Sequence, residues 1–211
     1  MDGNGQQTNF IVKLLNMNKF TIISYYTSKY KSIYEAYLKP SITKLSLNCI
    51  IEASQDFGSW KKNTDYKPIF IKQCLKMCSD NLVFIDVDAV VNQYPVLFES
   101  ISNAYDIGLH FLDWAEHYGR NNQVKELLSG TLYIQNNEHM FNLVNTWIKE
   151  LSHDILEQQA LERALKMHPE INVFHLPREY CYITSLPNGE LPAKTLKNPI
   201  ISHYQASRQK T

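Results

Sequence analysis

Residues 81–88, NLVFIDVD, with Ala89, Val90 and Val91 behind them, decide the fold. Leu82, Val83, Phe84 and Ile85 form an apolar run too short for a buried helix, and such a run reads as a strand covered on both faces. Two carboxylates, Asp86 and Asp88, stand at its carboxyl end, where an open α/β sheet places its chemistry. Two residues apart on an extended chain they would point the same way. Two hard oxygen donors aimed together suit Mg²⁺ or Mn²⁺ better than a soft metal. A bare D-x-D is also an ordinary acidic turn, so the rest of the chain has to decide between the two readings.

Upstream, residues 20–26 (FTIISYY) are rich in β-branched and aromatic side chains and read as the first core strand, ended by Thr27 and Ser28. Tyr30, Ile33, Tyr34, Tyr37 and Leu38 recur at helical spacing, with Pro40 as the stop. Residues 45–51 read as the second strand, which makes a βαβ unit and implies parallel pairing. Pro68 fits the first turn of a helix whose buried face is Ile71, Cys74, Leu75 and Cys78. Lys67 then sits at a helix amino terminus, where its charge and the dipole would both favour an anion.

Downstream, residues 94–98 read as a helical turn and 106–111 as a strand. Residues 112–128 lose periodicity and suggest a loop with a helix, or a segment that covers substrate. Ser129 and Gly130 lead into a strand over 131–135. Met140, Phe141, Val144, Trp147, Ile148 and Leu151 give the clearest amphipathic helix. A second helix follows, with Leu156, Ala160, Leu161, Ala164 and Leu165 inside and Glu157, Gln158 and Arg163 on other faces. Strands over 171–176 and 201–205 complete the pattern, which predicts one α/β domain across 1–211 with a polar lead over 1–18.

Lys+Arg and Asp+Glu balance at 21 each, so bulk charge gives no argument for a polyanionic partner, although Lys61, Lys62, Lys67 and Lys72 could form a local basic strip. Cys74 and Cys78 are four apart without a nearby His, which favours buried, reduced thiols over zinc. The amino terminus has no basic and apolar leader, and no run approaches membrane-spanning length. A soluble, cytoplasmic protein is expected.

Taken in order, these parts resemble the GT-A-fold nucleotide-diphospho-sugar glycosyltransferases, especially glycogenin-like relatives with a D-x-D after a buried strand. The matching stretches are the first strand ending in Tyr26 and Thr27, KPIFIKQCL, FIDVDAVV with YPVLF, SGTLYI and its helix, the Glu157-Gln158 pair, LPREYCYI and HYQASR. The resemblance implies a Rossmann-like α/β fold, with a central, mostly parallel sheet flanked by helices. It implies that Asp88 binds Mn²⁺ or Mg²⁺ bridging the diphosphate of a donor, most often a UDP-sugar, while Asp86 holds the ribose or a metal-bound water. His203 matches a third metal ligand. Tyr26 and Thr27 match the place of base and ribose, and Lys67 and Arg208 that of groups facing the diphosphate. Ser129 and Gly130 flank the sugar. Glu157-Gln158 stands where Asp-Gln is commoner in retaining relatives, so retention is favoured. Inversion would need a carboxylate base, for which Glu157, Asp154 and Asp113 are available. The implied product is a hexosyl or pentosyl transfer to a glycan, a protein or a modified nucleobase.

Two other classes fit parts of the sequence. Haloacid-dehalogenase-like phosphohydrolases also carry an apolar strand with D-x-D, but there the motif usually opens the domain, and the later acidic pair they need is missing here. A nucleotide-sugar-binding protein without turnover would keep the fold, since fold never proves activity.

Overall fold

The structure, a computed structural model, describes residues 19–121, 123–186 and 188–206. Arg208 and the lead over 1–18 lie outside the described residues. The architecture is α/β. A six-stranded sheet runs β2 (Cys49–Ser54), β1 (Phe20–Thr27), β3 (Asn81–Ile85), β6 (Lys125–Ile134), β5 (Ile107–Asp113), β7 (Val173–His175). β1 pairs in parallel with both β2 and β3, β5 pairs in parallel with β7, and β6 alone runs against its two neighbours. The sheet is therefore mostly parallel. A second sheet joins β4 (Ala89–Val91), β9 (Ile201–His203) and β8 (Tyr182–Ile183) in that order.

Alternation along the strands builds two cores. On one face Ile23, Leu82 and Phe84 pack against α3 (Trp60–Met77), α6 (Glu138–Glu150) and α7 (Glu157–Met167). On the other, Phe20, Ile22, Val83 and Ile85 meet α1 (Lys31–Ala36), α2 (Leu38–Lys44) and the short α4 (Leu97–Ser100). Both faces of β1 and β3 are covered, which is why their sequences read as continuous apolar runs. Each such buried Leu, Ile or Phe contributes about 1.5–3 kcal/mol. No helix among the described residues is long and apolar enough to cross a membrane.

The chain departs from the sequence reading at several points. Pro40 does not stop a helix. It occupies the first turn of α2, where its missing N–H costs nothing. The second strand begins at Cys49, because Leu45 caps α2 and Ser46 turns the chain at φ 51°. Pro68 lies in the middle of α3, whose start is set at Ser59, the side chain accepting from Lys62 N. The Tyr25 hydroxyl donates to the Asn63 carbonyl at 2.8 Å and lies 3.5 Å from the Thr64 carbonyl, the oxygen that Pro68 leaves without its helical partner. Lys67 is therefore mid-helix, away from any helix dipole terminus. Residues 112–121 and 123–128 hold the end of β5, the short α5 (Trp114–Tyr118), capped by the Asp113 carboxylate, and the first part of β6, so the segment has the helix expected there and more strand than its weak periodicity suggests. Ser129 and Gly130 lie inside β6, not before it.

Candidate active site

The strand order places β1 between β2, which follows it in sequence, and β3, so the chain reverses its winding direction between β1 and β3. That switch leaves a crevice beyond their carboxyl ends. Tyr26 and Thr27 end β1. Asp86 and Asp88 do not continue β3; they sit in the turn to β4, closed by Ala89 N donating to Asp86 O at 3.1 Å. It is this turn, and not strand alternation, that brings them together. β9 runs antiparallel to β4 with Ala89 opposite His203, and Tyr204 N donates to Asp88 O at 3.1 Å. A far part of the chain is thereby fixed beside the carboxylates. Ligand atoms of Asp86, Asp88 and His203 all lie within 4.8 Å of one another.

β6 shapes the floor. From Gly108↔Tyr133 to His110↔Leu128 its register against β5 jumps, so that four residues, Ser129, Gly130, Thr131 and Leu132, face the single Leu109. The bulge turns Ser129 and Gly130 to the crevice and Thr131 to His203, as bulges beside functional sites do. Gly130 makes the room: a Cβ there would stand 2.9 Å from His203 Cε1 and 3.1 Å from Asp86 Oδ2. Thr131 Oγ1 lies 2.8 Å from His203 Nε2. If Nε2 carries the proton and donates to Thr131, the Nδ1 lone pair is left on the Gly130 side for a cation. Burial holds the imidazole neutral, with its pKa pushed down to about 4 despite the attraction of Asp88. Two carboxylates and a neutral imidazole, with space in front of them, fit a hard or borderline divalent ion. Thr131→Val, isosteric but unable to accept, is expected to weaken Mn²⁺ binding by about 10–100-fold, with Thr131→Ser restoring it, as titration would show. Equal affinity in the valine variant would mean that Thr131 does not orient the ring.

Beside this cluster lies a buried ion-pair network. Lys67 Nζ is 2.8 Å from Glu157 Oε1, 3.0 Å from Ser129 Oγ and 3.3 Å from Asp86 Oδ1, and Ser129 Oγ donates to Glu157 Oε1 at 2.6 Å. The ammonium also sits over the Phe84 ring. Burial alone would depress the Lys67 pKa, but Asp86 and Glu157 more than offset it, so the group stays charged. Asp86 behaves differently. Its carboxylate keeps 40% of its surface open, but to a walled cavity and not to bulk water, and desolvation lifts its pKa to about 7 against the pull of Lys67. Glu157 is the closer partner of Lys67 and opens α7, where the helix dipole favours its charge. Trp147 Nε1 donates to Glu157 O at 2.7 Å and ties that helix start to α6.

Ten residues singled out in the sequence line this one cavity: Tyr26, Thr27, Lys67, Asp86, Asp88, Ser129, Gly130, Glu157, Gln158 and His203. Tyr26 stacks on Tyr34 at 4.7 Å and 13°. Thr27 Oγ1 is buried with no hydrogen-bond partner among the described residues. Glu157 and Gln158, read on faces of their helix other than the one carrying Leu156, Ala160 and Leu161, are buried against the cavity. Of the rival bases, Asp154 is 91% exposed, and Asp113 caps α5 by accepting from Ala115 N and Glu116 N. Neither lines the cavity. All four cysteines are free; Cys181 lines the cavity with its thiol pKa pushed by burial to about 12. Sequence reasoning missed Thr131 and Glu126. Glu126 also lines the cavity and accepts from Trp114 Nε1 and Gln158 Nε2. The one signal for it is that it shares a strand face with Leu128, two residues on.

No protein-family model matches the sequence, and no curated protein matches it significantly. Solved structures do match. One is a glycosyltransferase involved in the glycosylation of the major capsid of PBCV-1, with TM-score 0.65 and 12% identity over 90% of this chain and 96% of that one. Another is the bifunctional glycosyltransferase WbbM, with TM-score 0.61 and 13% identity over 88% of this chain. This chain spans only 45% of WbbM. What the chain shares with these glycosyltransferases is the fold.

Proposed function

We propose that this chain is a metal-dependent glycosyltransferase that moves a sugar from a nucleoside-diphosphate sugar, a UDP-sugar by preference, to an acceptor hydroxyl. The observation that carries the reading is the convergence of Asp86, Asp88 and His203 at the switch-point crevice, next to the strand end bearing Tyr26 and Thr27. The fold shared with two glycosyltransferases supports it. In this reading Tyr26 and the unpartnered hydroxyl of Thr27 hold base and ribose, and Asp86, Asp88 and His203 hold Mn²⁺ or Mg²⁺. When bound, the ion stabilises the charge that develops on the departing diphosphate. Lys67 adds a fixed positive charge from the side of Ser129, and Arg208, outside the described residues, is assigned to the diphosphate as well.

In the transfer, the bond from the sugar's anomeric carbon to the diphosphate oxygen breaks with its electron pair going to the diphosphate. The acceptor oxygen forms the new bond and gives up its proton. Lys67 and Ser129 both hold Glu157 through Oε1, so we assign Glu157 to fixing the Lys67 charge and not to taking that proton. This supports retention, with the acceptor approaching on the leaving-group side and the proton passing to the diphosphate oxygen. Gln158 then faces the anomeric centre as a neutral dipole. The free cysteines accord with a reducing compartment, and we place the activity in the cytoplasm.

Screening UDP-sugars for hydrolysis with and without Mn²⁺ tests the reading before any acceptor is known. The expected result is slow hydrolysis of one UDP-sugar that EDTA abolishes. Metal-independent hydrolysis, or release of inorganic phosphate from phosphomonoesters instead, would overturn it.

A further inference from the structure

The cavity continues past the carboxylate–imidazole cluster. Beyond Ser129 its wall is formed by Leu112, Trp114, Glu126, Leu128 and Leu186, on a small apolar cluster separate from the two main cores. Glu126 and Gly130 are four residues apart on β6. An extended strand at about 3.3 Å per residue would separate them by about 13 Å, less what the bulge takes up. Glu126 is thus too far along the strand to ligate an ion held beside Gly130, which leaves a gap of about the length of one sugar ring between the two.

Its carboxylate is held in place without being neutralised. Trp114 Nε1 donates to Oε2 at 2.9 Å and Gln158 Nε2 to Oε1 at 2.5 Å, both uncharged donors. A carboxylate offers about four lone-pair sites, so each oxygen keeps one for a ligand. Because Glu126 can only accept when ionised, the Gln158 amide must turn its NH₂ towards it and its carbonyl oxygen elsewhere. Among the described residues Lys67 is the only lysine or arginine lining the cavity, and it is committed to Glu157, Ser129 and Asp86.

We infer that this end of the cavity seats the acceptor, and that the acceptor is a neutral sugar ring whose hydroxyls donate to Glu126. The inference rests on the glycosyl-transfer reading. A sugar phosphate or a nucleic acid would bring its charge against Glu126, and among the described residues the cation beside that wall, Arg120 over the Trp114 ring at 4.5 Å, is already paired with Glu190. A neutral ring lays its C–H surface on the leucines and directs its hydroxyls to one carboxylate, the pattern of few polar groups in an apolar seat that fixes orientation.

Saturation-transfer NMR on the full chain with UDP and Mg²⁺ tests this, using neutral methyl pyranosides, a hexose phosphate and a single-stranded oligonucleotide as probes. At least one methyl pyranoside is expected to receive saturation, and the two anionic probes are not. Glu126→Ala is expected to weaken pyranoside binding about tenfold or more, and Glu126→Gln, which still accepts, less so. A thermal melt shows whether each variant is folded, and a loss of UDP affinity by calorimetry in folded Glu126→Ala would move Glu126 to the donor half and overturn the inference. So would pyranoside binding unchanged in that variant, no pyranoside binding at all, or tighter binding of either anionic probe. A chain that seats pyranosides yet hydrolyses no UDP-sugar refutes glycosyl transfer and keeps the sugar seat. One that hydrolyses UDP-sugars but prefers an anionic probe keeps transfer and refutes the seat.

Discussion

Asp88→Asn is expected to lower Mn²⁺-dependent UDP binding by more than about 10²-fold while leaving the apo fold intact. The lower bound follows from scale: removing a group that only supports a metal ligand costs about 10–100-fold, and a direct ligand should cost more. The fold should survive because Asn has the same shape as Asp and because backbone hydrogen bonds hold this turn, with Tyr204 N donating to Asp88 O and Ala89 N to Asp86 O. The ionised Asp88 also raises the pKa of Asp86. Its neutralisation relieves that repulsion, so the melting temperature in EDTA should not fall. Calorimetry with UDP and Mn²⁺, beside melts in EDTA, separates the two effects. Parental affinity in the variant would remove Asp88 from the metal site, and a large drop in melting temperature would make it a folding residue instead.

What the sequence made legible was the frame. A buried apolar run such as Leu82 to Ile85 constrains its own conformation through burial on both faces, and β1, β3, α6 and α7 emerge close to where periodicity puts them. Local rules failed where a tertiary partner outweighed them. Pro68 looked like a helix start, yet the Tyr25 hydroxyl from the neighbouring strand serves the carbonyls that the proline disturbs, and the helix runs through. β6 looked half its length because Lys125 and Glu126 continue a polar stretch, while their pairing with Asp113 and Leu112 is a long-range fact. The bulge over Ser129 to Leu132 has no signature of its own in the sequence beyond Gly130. Its existence depends on β6 following β3 on one side while losing register with β5 on the other. The residues read from the sequence that line the cavity were those carried by short motifs, and Thr131 and Glu126 were invisible because their places depend on what they touch.

Lys67→Ala is expected to destabilise the protein by about 3–5 kcal/mol at pH 8, the usual cost of removing one member of a buried ion pair. Lys67 is only 3% exposed, so water cannot replace its ammonium easily, and Glu157 and Asp86 would be left facing each other. Lys67→Met keeps most of the volume and should lose nearly as much, which separates charge from cavity formation. Adding Glu157→Gln to Lys67→Met should recover part of the loss, because the double variant no longer buries the nearer unpaired carboxylate. The loss should also depend on pH. Asp86 already has its folded-state pKa raised to about 7, above that of an unfolded carboxylate, so its ionisation favours unfolding as pH rises through that window. Without Lys67 the folded pKa rises further and the window extends upward. The variant should therefore be closest to the parent near pH 5, where Asp86 carries a proton, and furthest from it above pH 8. Denaturant unfolding at the two pH values measures both quantities. A loss below about 1 kcal/mol at pH 8, the range of an exposed pair, would mean that water reaches the network and that Lys67 is not its keystone.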